Sequence, residues 1–381
     1  MRKGWQTKKF GEVCEIIGGS QPPKSNFISE PKDGYIRLIQ VRDYKTDKYI
    51  TYIPKDKARR FCTKTDLMIG RYGPPIFGIF RGLEGAYNVA LMKAVPNEKI
   101  VSKEYFFQFL KNPDIVRFVE QSSKRAAGQD GVRKDKLYEY PIQLPPLPEQ
   151  ERIVSILDKA FEGIDKAIAQ TEQNLASARE LFESYLNNIF TQKGDDWVEK
   201  ELGEVCENLD RKRIPITKSK REAGDIPYYG ASGVVDYVKD YIFDEELLLV
   251  SEDGANLLAR TYPIAFSIIG KTWINNHAHV LKFENKTSQL FVEHYLNSIT
   301  LAPYVSGMAQ PKLNQKALNG ILIPVPPIET QKQIVRSLHS LEEQTKRLQA
   351  LYTQKLNDLK ELKQSLLQQA FAGELTKEDA A

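Results

Sequence analysis

Between Leu144 and Phe190, apolar or small side chains return at three- and four-residue steps: Leu157, Ala160, Ile164, Ala167, then Ala178, Leu181 and Tyr185. That is the period of one helix face. The stretch opens Leu144-Pro145-Pro146-Leu147-Pro148-Glu149-Gln150 and is then free of proline as far as Phe190. Pro148 suits the first helical position, where no intrahelical N–H bond is missed. Glu149 and Glu151 place negative charge at the positive end of the helix dipole. The pattern predicts one helix of about 42 residues, roughly 60 Å long at ~1.5 Å per residue. A second such stretch closes the chain, with Leu338, Leu341, Leu348, Tyr352, Leu359, Leu362 and Leu366 on one seam. Two matched stripes predict an antiparallel two-helix coiled coil. Leu175, Phe182, Leu351 and Leu356 fall beside the seam and widen it, which leaves apolar surface for a further partner.

Elsewhere the apolar runs are short and β-rich. Tyr35 to Val41, Tyr49 to Ile53, Leu67 to Tyr72, Ile76 to Phe80 and Ala86 to Val95 read as strands separated by Gly/Pro turns. Ser102 can cap a helix through Leu110, and Pro113-Asp114 can start another through Glu120. The outline then repeats. Ile226 to Tyr229, Leu247 to Val250, Tyr262 to Ile269 and Ile274 to Phe283 read as strands, and Ser288 to Ile299 as a helix.

The repeat is visible in the letters themselves. Trp5 is followed by Gly11-Glu12-Val13-Cys14-Glu15, and Trp197 by Gly203-Glu204-Val205-Cys206-Glu207, an offset of 192 residues. Leu144-Pro145-Pro146-Leu147 returns as Val325-Pro326-Pro327-Ile328 at an offset of 181. At that offset Gln150, Ile153, Val154 and Leu157 become Gln331, Ile334, Val335 and Leu338, and Phe190 becomes Phe371. No gap is needed through the helix. The expected order is a first globular domain at 1–145, a long helix at 146–193, a second globular domain at 194–324, a second helix at 325–375 and a tail at 376–381. The expected fold class is α+β: two mixed α/β domains in tandem, separated by the coiled coil and related by an internal pseudo-twofold.

Charge distinguishes the halves. Residues 1–145 carry 27 Lys+Arg against 16 Asp+Glu, net +11, whereas residues 194–324 carry 14 against 18, net −4. A strongly basic first domain points to a polyanion. Its candidate contacts are Lys55, Arg59, Arg60, Arg71, Tyr72, Arg81, Lys124, Arg125 and Arg133, which interleave cations with aromatic residues. Arginine can bond guanine bidentately, and lysine mainly neutralises phosphate. In the second domain the dense basic run supplies Arg211, Arg213, Lys218, Lys220 and Arg221. Three cysteines without CxxC spacing fit a reducing cytoplasm. The longest apolar runs are far too short to span a bilayer, and the first residues lack the apolar run of a signal peptide.

Chemistry is hard to assemble from the remainder. Ala265-Phe266-Ser267-Ile268-Ile269-Gly270-Lys271-Thr272 fits a loose phosphate-loop pattern, but Thr272 leads into Trp273-Ile274-Asn275-Asn276 rather than a helix. His277-Ala278-His279 has no cysteine or acidic partner at ligand spacing, so ordinary strand histidines are favoured. There is no Asn-Pro-Pro-aromatic motif and no Gly-x-Ser-x-Gly elbow.

Two variable domains, each followed by a Pro-Pro-hydrophobic-x-x-Gln start to a long helix, resemble the specificity subunit of type I restriction-modification enzymes. The resemblance rests on Leu144 to Leu157, Val325 to Leu338, the Phe190 and Phe371 ends and the duplicated Trp-x₅-Gly-Glu-Val entry. The second helix start departs from the first, since Glu329-Thr330-Gln331 replaces Pro148-Glu149-Gln150. The resemblance implies two target recognition domains, each reading half of a bipartite site in double-stranded DNA, with the helices fixing the spacer. It implies two modification subunits docked on domains and helices, carrying S-adenosylmethionine, and restriction subunits carrying ATP and Mg. The subunit itself would be non-catalytic. Leu157, Ile164, Leu175, Phe182, Leu338, Leu351, Leu356 and Leu362 are the candidate partner contacts. Two other classes fit less of the sequence: a coiled-coil adaptor with two protein-binding domains, and a self-sufficient nuclease or methyltransferase.

Overall fold

The computed structural model describes residues 4–73, 75–124, 130–307 and 310–376. The chain forms two compact units: residues 1–171 with 354–381, and residues 172–353. The division cuts both long helices, Leu147–Thr191 and Ile328–Phe371. Each unit therefore combines one sheet-rich domain with part of each helix, rather than following the linear order of segments.

The two sheet-rich domains share one topology despite their divergent sequences. In the first unit one four-stranded sheet has the order Cys14–Gly18, Leu91–Pro96, Leu67–Gly70, Ile79–Phe80. The other has the order Tyr52–Pro54, Tyr35–Ile39, Gly85–Tyr87, Phe61–Cys62. The second unit repeats both, as Glu207–Asn208, Ala278–Lys282, Leu247–Ser251, Ala265–Ile268 and as Gly233–Val238, Ala223–Gly230, Lys271–Ile274, Phe243–Asp244. Each second sheet holds one parallel pair, Leu38 with Ala86 and Tyr228 with Trp273. The strands Leu67–Gly70 and Leu247–Ser251 are buried at every residue, which is why they read as continuous apolar runs without alternation.

Two expected strands are each split, and by the same residue type. Ala86 to Val95 breaks at Asn88, whose side chain accepts from the Ala90 amide at 3.1 Å. Ile274 to Phe283 breaks at Asn275, which accepts from the His277 amide at 2.7 Å. An asparagine that bonds its own backbone two residues on makes a turn. Here that turn carries the chain from one sheet to the other. Tyr262 to Ile269 also shortens, to Ala265–Ile268.

The repeated glutamines explain why the helix starts are alike. Gln150 is fully buried. Its Nε2 donates to Pro145 O at 2.9 Å and Ile100 O at 3.0 Å, and its Oε1 accepts from the Ser102 amide at 2.8 Å. Gln331 Nε2 donates to Pro326 O at 2.8 Å, and Gln331 Oε1 accepts from Ser288 Oγ at 2.9 Å. In both units the buried amide ties the Pro-Pro corner to the beginning of a domain helix, Lys103–Leu110 or Lys286–Ser298. The entry is fixed from the other side by strand pairing, Gln6–Lys9 on Pro141–Leu144 and Val198–Glu201 on Leu322–Val325.

The helix ends are equally matched. In the first unit Phe371 meets Tyr105 and Phe109 edge-on, at 5.1 and 5.4 Å. In the second, Phe190 meets Phe291 and Tyr295, at 5.5 and 5.1 Å. Both partner pairs are spaced i, i+4 and so share one helix face.

Within the first unit the helix segments run antiparallel: Glu149 is bonded to Thr376, and Asp165 is paired with Lys363 at 2.7 Å. Ile153 and Leu157 join Leu367 and Phe371 in one core. In the second unit Leu186 and Phe190 join Val335 and Leu338. The seam differs from the expected one beyond Ala178. It follows four-residue steps through Phe182, Leu186 and Phe190, so Leu181 is 50% exposed and Tyr185 faces outward.

Candidate nucleic-acid interface

The basic residues of the first domain fall into three groups. Lys55, Arg59 and Arg60 share the exposed connection between the strands Tyr52–Pro54 and Phe61–Cys62. Beside them Phe61 is exposed on its own strand. Sequence reasoning missed a neighbouring set: Tyr49 is exposed, and Arg42 and Lys48 lie over its ring at 5.4 and 5.5 Å. The cue was present as alternating cations and tyrosines from Arg42 to Tyr49.

Arg71, Tyr72 and Arg133 form the second group. The Arg71 guanidinium lies 4.9 Å from the Tyr72 ring centre. The Val132 amide donates to Arg71 O at 3.0 Å, which brings the loop after Leu67–Gly70 against the segment leading to the short helix Lys134–Tyr138. Arg71, Arg133 and Lys134 line one cavity of about 530 Å³ together with Ile16, Gly18 and Met92. Arg133 is paired with Asp135 at 2.7 Å, which holds that carboxyl below its ordinary range.

Arg81 belongs to a third setting. It is bonded to Glu104 at 2.6 Å and lies 4.0 Å from the Phe107 ring, which Lys111 also meets at 3.6 Å. Burial, reinforced by the charges of Arg81 and Lys363, pushes Lys111 down to about 8. Lys124 is exposed at the end of the helix Pro113–Ser123. Arg125 lies outside the described residues.

In the second domain the basic run divides by burial. Arg211, Lys218 and Lys220 are exposed. Arg213 is not: its side chain is 12% exposed, and its Nη1 donates to Glu252 at 2.7 Å and to Ala278 O at 2.6 Å. The expectation of a DNA contact at Arg213 is therefore corrected, because its donors face interior acceptors. Arg221 lies over the Tyr228 ring at 4.3 Å and pairs with Asp236 at 2.8 Å. Tyr237, Tyr241 and Tyr262 are exposed aromatics that the sequence reading passed over, with Lys271 over the Tyr241 ring at 4.7 Å.

The two histidines acquire acidic partners from distant segments. His277 Nδ1 lies 2.8 Å from Asp253, and buried His279 Nδ1 lies 2.6 Å from Asp210, with its Nε2 on Leu313 O at 2.8 Å. Burial alone would raise the Asp210 carboxyl. The bond and charge of His279, the Val280 amide and Arg213 together hold it below its ordinary value. Among the described residues no group of three or more His, Cys, Asp and Glu could hold a metal ion. The loose phosphate-loop pattern folds as two strands joined through Gly270 at φ 81°, with no helix to cradle a phosphate. No helix among the described residues is long and apolar enough to cross a membrane.

The expected partner contacts separate in the same way. Leu157, Ile164 and Leu338 are buried, Leu157 and Leu338 in the cores of their own units, so their apolar atoms are already covered within the chain. Leu175, Phe182 and Leu356 are partly covered, while Leu351 is 61% and Leu362 46% exposed.

Comparison with known proteins agrees with this architecture. The model of the type I restriction modification DNA specificity domain matches residues 2–175 and again 194–360. A putative type I restriction enzyme specificity subunit of Haemophilus influenzae is 36% identical over 158 residues, covering 42% of this chain and 40% of that one. The putative MjaX specificity subunit of Methanocaldococcus jannaschii is 23% identical over 386 residues, covering 89% and 87%. Two solved structures share the fold. One comes from a study of assembly and conformational transition in the type I R-M system, with a TM-score of 0.79 at 20% identity over 98% of this chain and 99% of that one. The other is the HsdS subunit of Thermoanaerobacter tengcongensis, with a TM-score of 0.60 at 21% identity over 98% of each. Matched twice, through both sheet-rich domains and into both long helices, this chain belongs to the family of the type I restriction modification DNA specificity domain.

Proposed function

We propose that this chain is the sequence-specific DNA-binding subunit of a type I restriction-modification system, each sheet-rich domain reading one half of a bipartite duplex site. The observation that carries this reading is a constant frame with unlike surfaces. Both domains have the same strand order and the same glutamine clamp, yet they present different loops, with opposite net charge in the two segments. A frame that is kept while its loops change suits two readers of different targets. Exposed cations beside exposed aromatics supply phosphate contacts and stacking surfaces.

On this reading the chain works in the cytoplasm as a non-catalytic scaffold. Two modification subunits hold S-adenosylmethionine and methylate adenine, and restriction subunits hold ATP and Mg. The exposed leucines Leu351 and Leu362 suit apolar docking of these partners.

Mapping methylated adenines in cells with and without this gene tests the reading. A two-part motif that disappears on deletion is expected; an unchanged methylation map refutes it. Exchanging residues 200–320 for those of another family member should alter one half of that motif and leave the other. A protein adaptor would instead show no affinity for duplex DNA.

A further inference from the structure

The two domains place opposite charge at one equivalent position. Strand register fixes the equivalence. Ile69 pairs with Met92 and Gly70 with Leu91 in the first domain, as Val250 pairs with His279 and Ser251 with Ala278 in the second. The next residues are Arg71-Tyr72-Gly73 and Glu252-Asp253-Gly254. Gly73 and Gly254 both turn the chain at positive φ, 92° and 107°. The Val132 amide bonds to Arg71 O as the Leu313 amide bonds to Glu252 O. Arg71 therefore stands where the second domain has Glu252, and Met92 where it has His279.

In the second domain this niche is closed by its own charges. Glu252 takes Arg213 at 2.7 Å and Lys312 at 3.2 Å, while His279 takes Asp210. In the first domain glycines stand at the matching places, Gly18 for Asp210 and Gly131 for Lys312. A Cβ on Gly131 would come within 2.7 Å of the Tyr72 ring, so the glycine is what lets Tyr72 lie beneath Arg71. The result is the cavity with Ile16 and Met92 as apolar wall and Arg71, Arg133 and Lys134 as cations. Among the described residues that line it, Asp135 alone is acidic, and it pairs with Arg133.

We propose that this cavity is a phosphate subsite of the first domain, with Arg71 as its principal ligand and no counterpart in the second. The inference rests on the DNA-binding reading for the source of the phosphate, a backbone phosphodiester. Cations exceed carboxylates by two at an apolar wall, where an anion is held more strongly than at open surface. Of the three cations Arg71, whose guanidinium lies over the Tyr72 ring, is best able to give two parallel bonds to phosphate oxygens, since Arg133 is already paired with Asp135. The second domain has replaced that exchangeable anion by the fixed carboxylate of Glu252. The first domain consequently carries more of the salt dependence of binding.

The test measures affinity for duplex DNA bearing the site between 50 and 200 mM salt, using the full chain with its modification subunits. For the double variant Arg71→Gln, Lys134→Gln, the negative slope of log affinity against log salt should become shallower by about 0.9, the value of one phosphate contact. Arg71→Lys should keep a slope near the parent's, because the charge remains. An unchanged slope in the double variant overturns the subsite and leaves the DNA-binding reading intact. If the parent binds no duplex, that reading fails, and inorganic phosphate decides the subsite. A rise in melting temperature with phosphate over chloride at equal ionic strength, lost in the double variant, keeps it as a site for free phosphate; no such rise removes it.

Discussion

The Ser102 amide donates at 2.8 Å to Oε1 of Gln150, whose side chain is fully buried. Replacing Gln150 by leucine keeps the volume and removes all three bonds, leaving the Ser102 N–H and the carbonyls of Ile100 and Pro145 without this partner. At about 1–3 kcal/mol for each buried group left unpaired, partly relieved by relaxation, a loss of roughly 2–4 kcal/mol is expected. Urea unfolding of the variant measures it. A midpoint equal to the parent's would show that the clamp contributes nothing.

Phe371 and Leu362 lie on the same helix and should respond very differently. Phe371 is buried between Tyr105 and Phe109, so Phe371→Ala should cost about 3–5 kcal/mol. Leu362 is 46% exposed, and Leu362→Ala should stay within about 0.5 kcal/mol in the free chain. Thermal melts of the two variants, run side by side, check the contrast.

Arg213 and Arg211 make a second contrasting pair. Arg213→Ala leaves Glu252 and Asp210 without their guanidinium but still paired with Lys312 and His279, so a loss of about 1.5–3 kcal/mol is expected. Exposed Arg211→Ala should leave stability within about 0.5 kcal/mol. A melt in which Arg213→Ala matches the parent would refute the interior role.

Acid should loosen the second unit through His294. Burial, helped by the charge of nearby His339 and opposed by Glu342, lowers its pKa from 6.5 to about 4. Its buried Nε2 has no hydrogen-bond partner, and the His339 ring stands 5.9 Å away. Between those values the unfolded chain binds the proton that the folded chain refuses. Stability from this group is therefore full above 6.5 and falls as pH drops towards 4. Melting temperatures across that window should decline less steeply in His294→Gln. Parallel curves would exclude His294 as the source.

How much the letters disclosed depended on how far apart the interacting residues lie. Helix starts, ends and register were legible because Gln150, Gln331, Phe190 and Phe371 repeat at one offset. The breaks at Asn88 and Asn275 were not, because an asparagine inside a β-rich run gives little sign of a change of sheet. The seam past Ala178 was misplaced since Leu181 and Phe182 are both apolar, and only packing decides which faces in. Arg211 and Arg213 look alike in a basic run, yet the acids that draw Arg213 inward include Glu252, far along the chain. His279 likewise meets Asp210 across 69 residues. Spacing rules tuned to local motifs pass over such pairs.

The division of the chain has a consequence for synthesis on the ribosome. The unit formed by residues 172–353 is contiguous and can close once its own residues have emerged. The other needs the end of the second long helix, with Leu367, Ala370 and Phe371, to finish a core begun by Trp5 and Phe10. At ~5–20 residues per second, roughly 10–40 s pass between Thr171 and Gln354. Throughout that interval Tyr105 and Phe109 lack their last aromatic neighbour. The domain made first is thus the one completed last, and until then its core keeps an apolar face uncovered, the kind of surface through which unfinished chains associate.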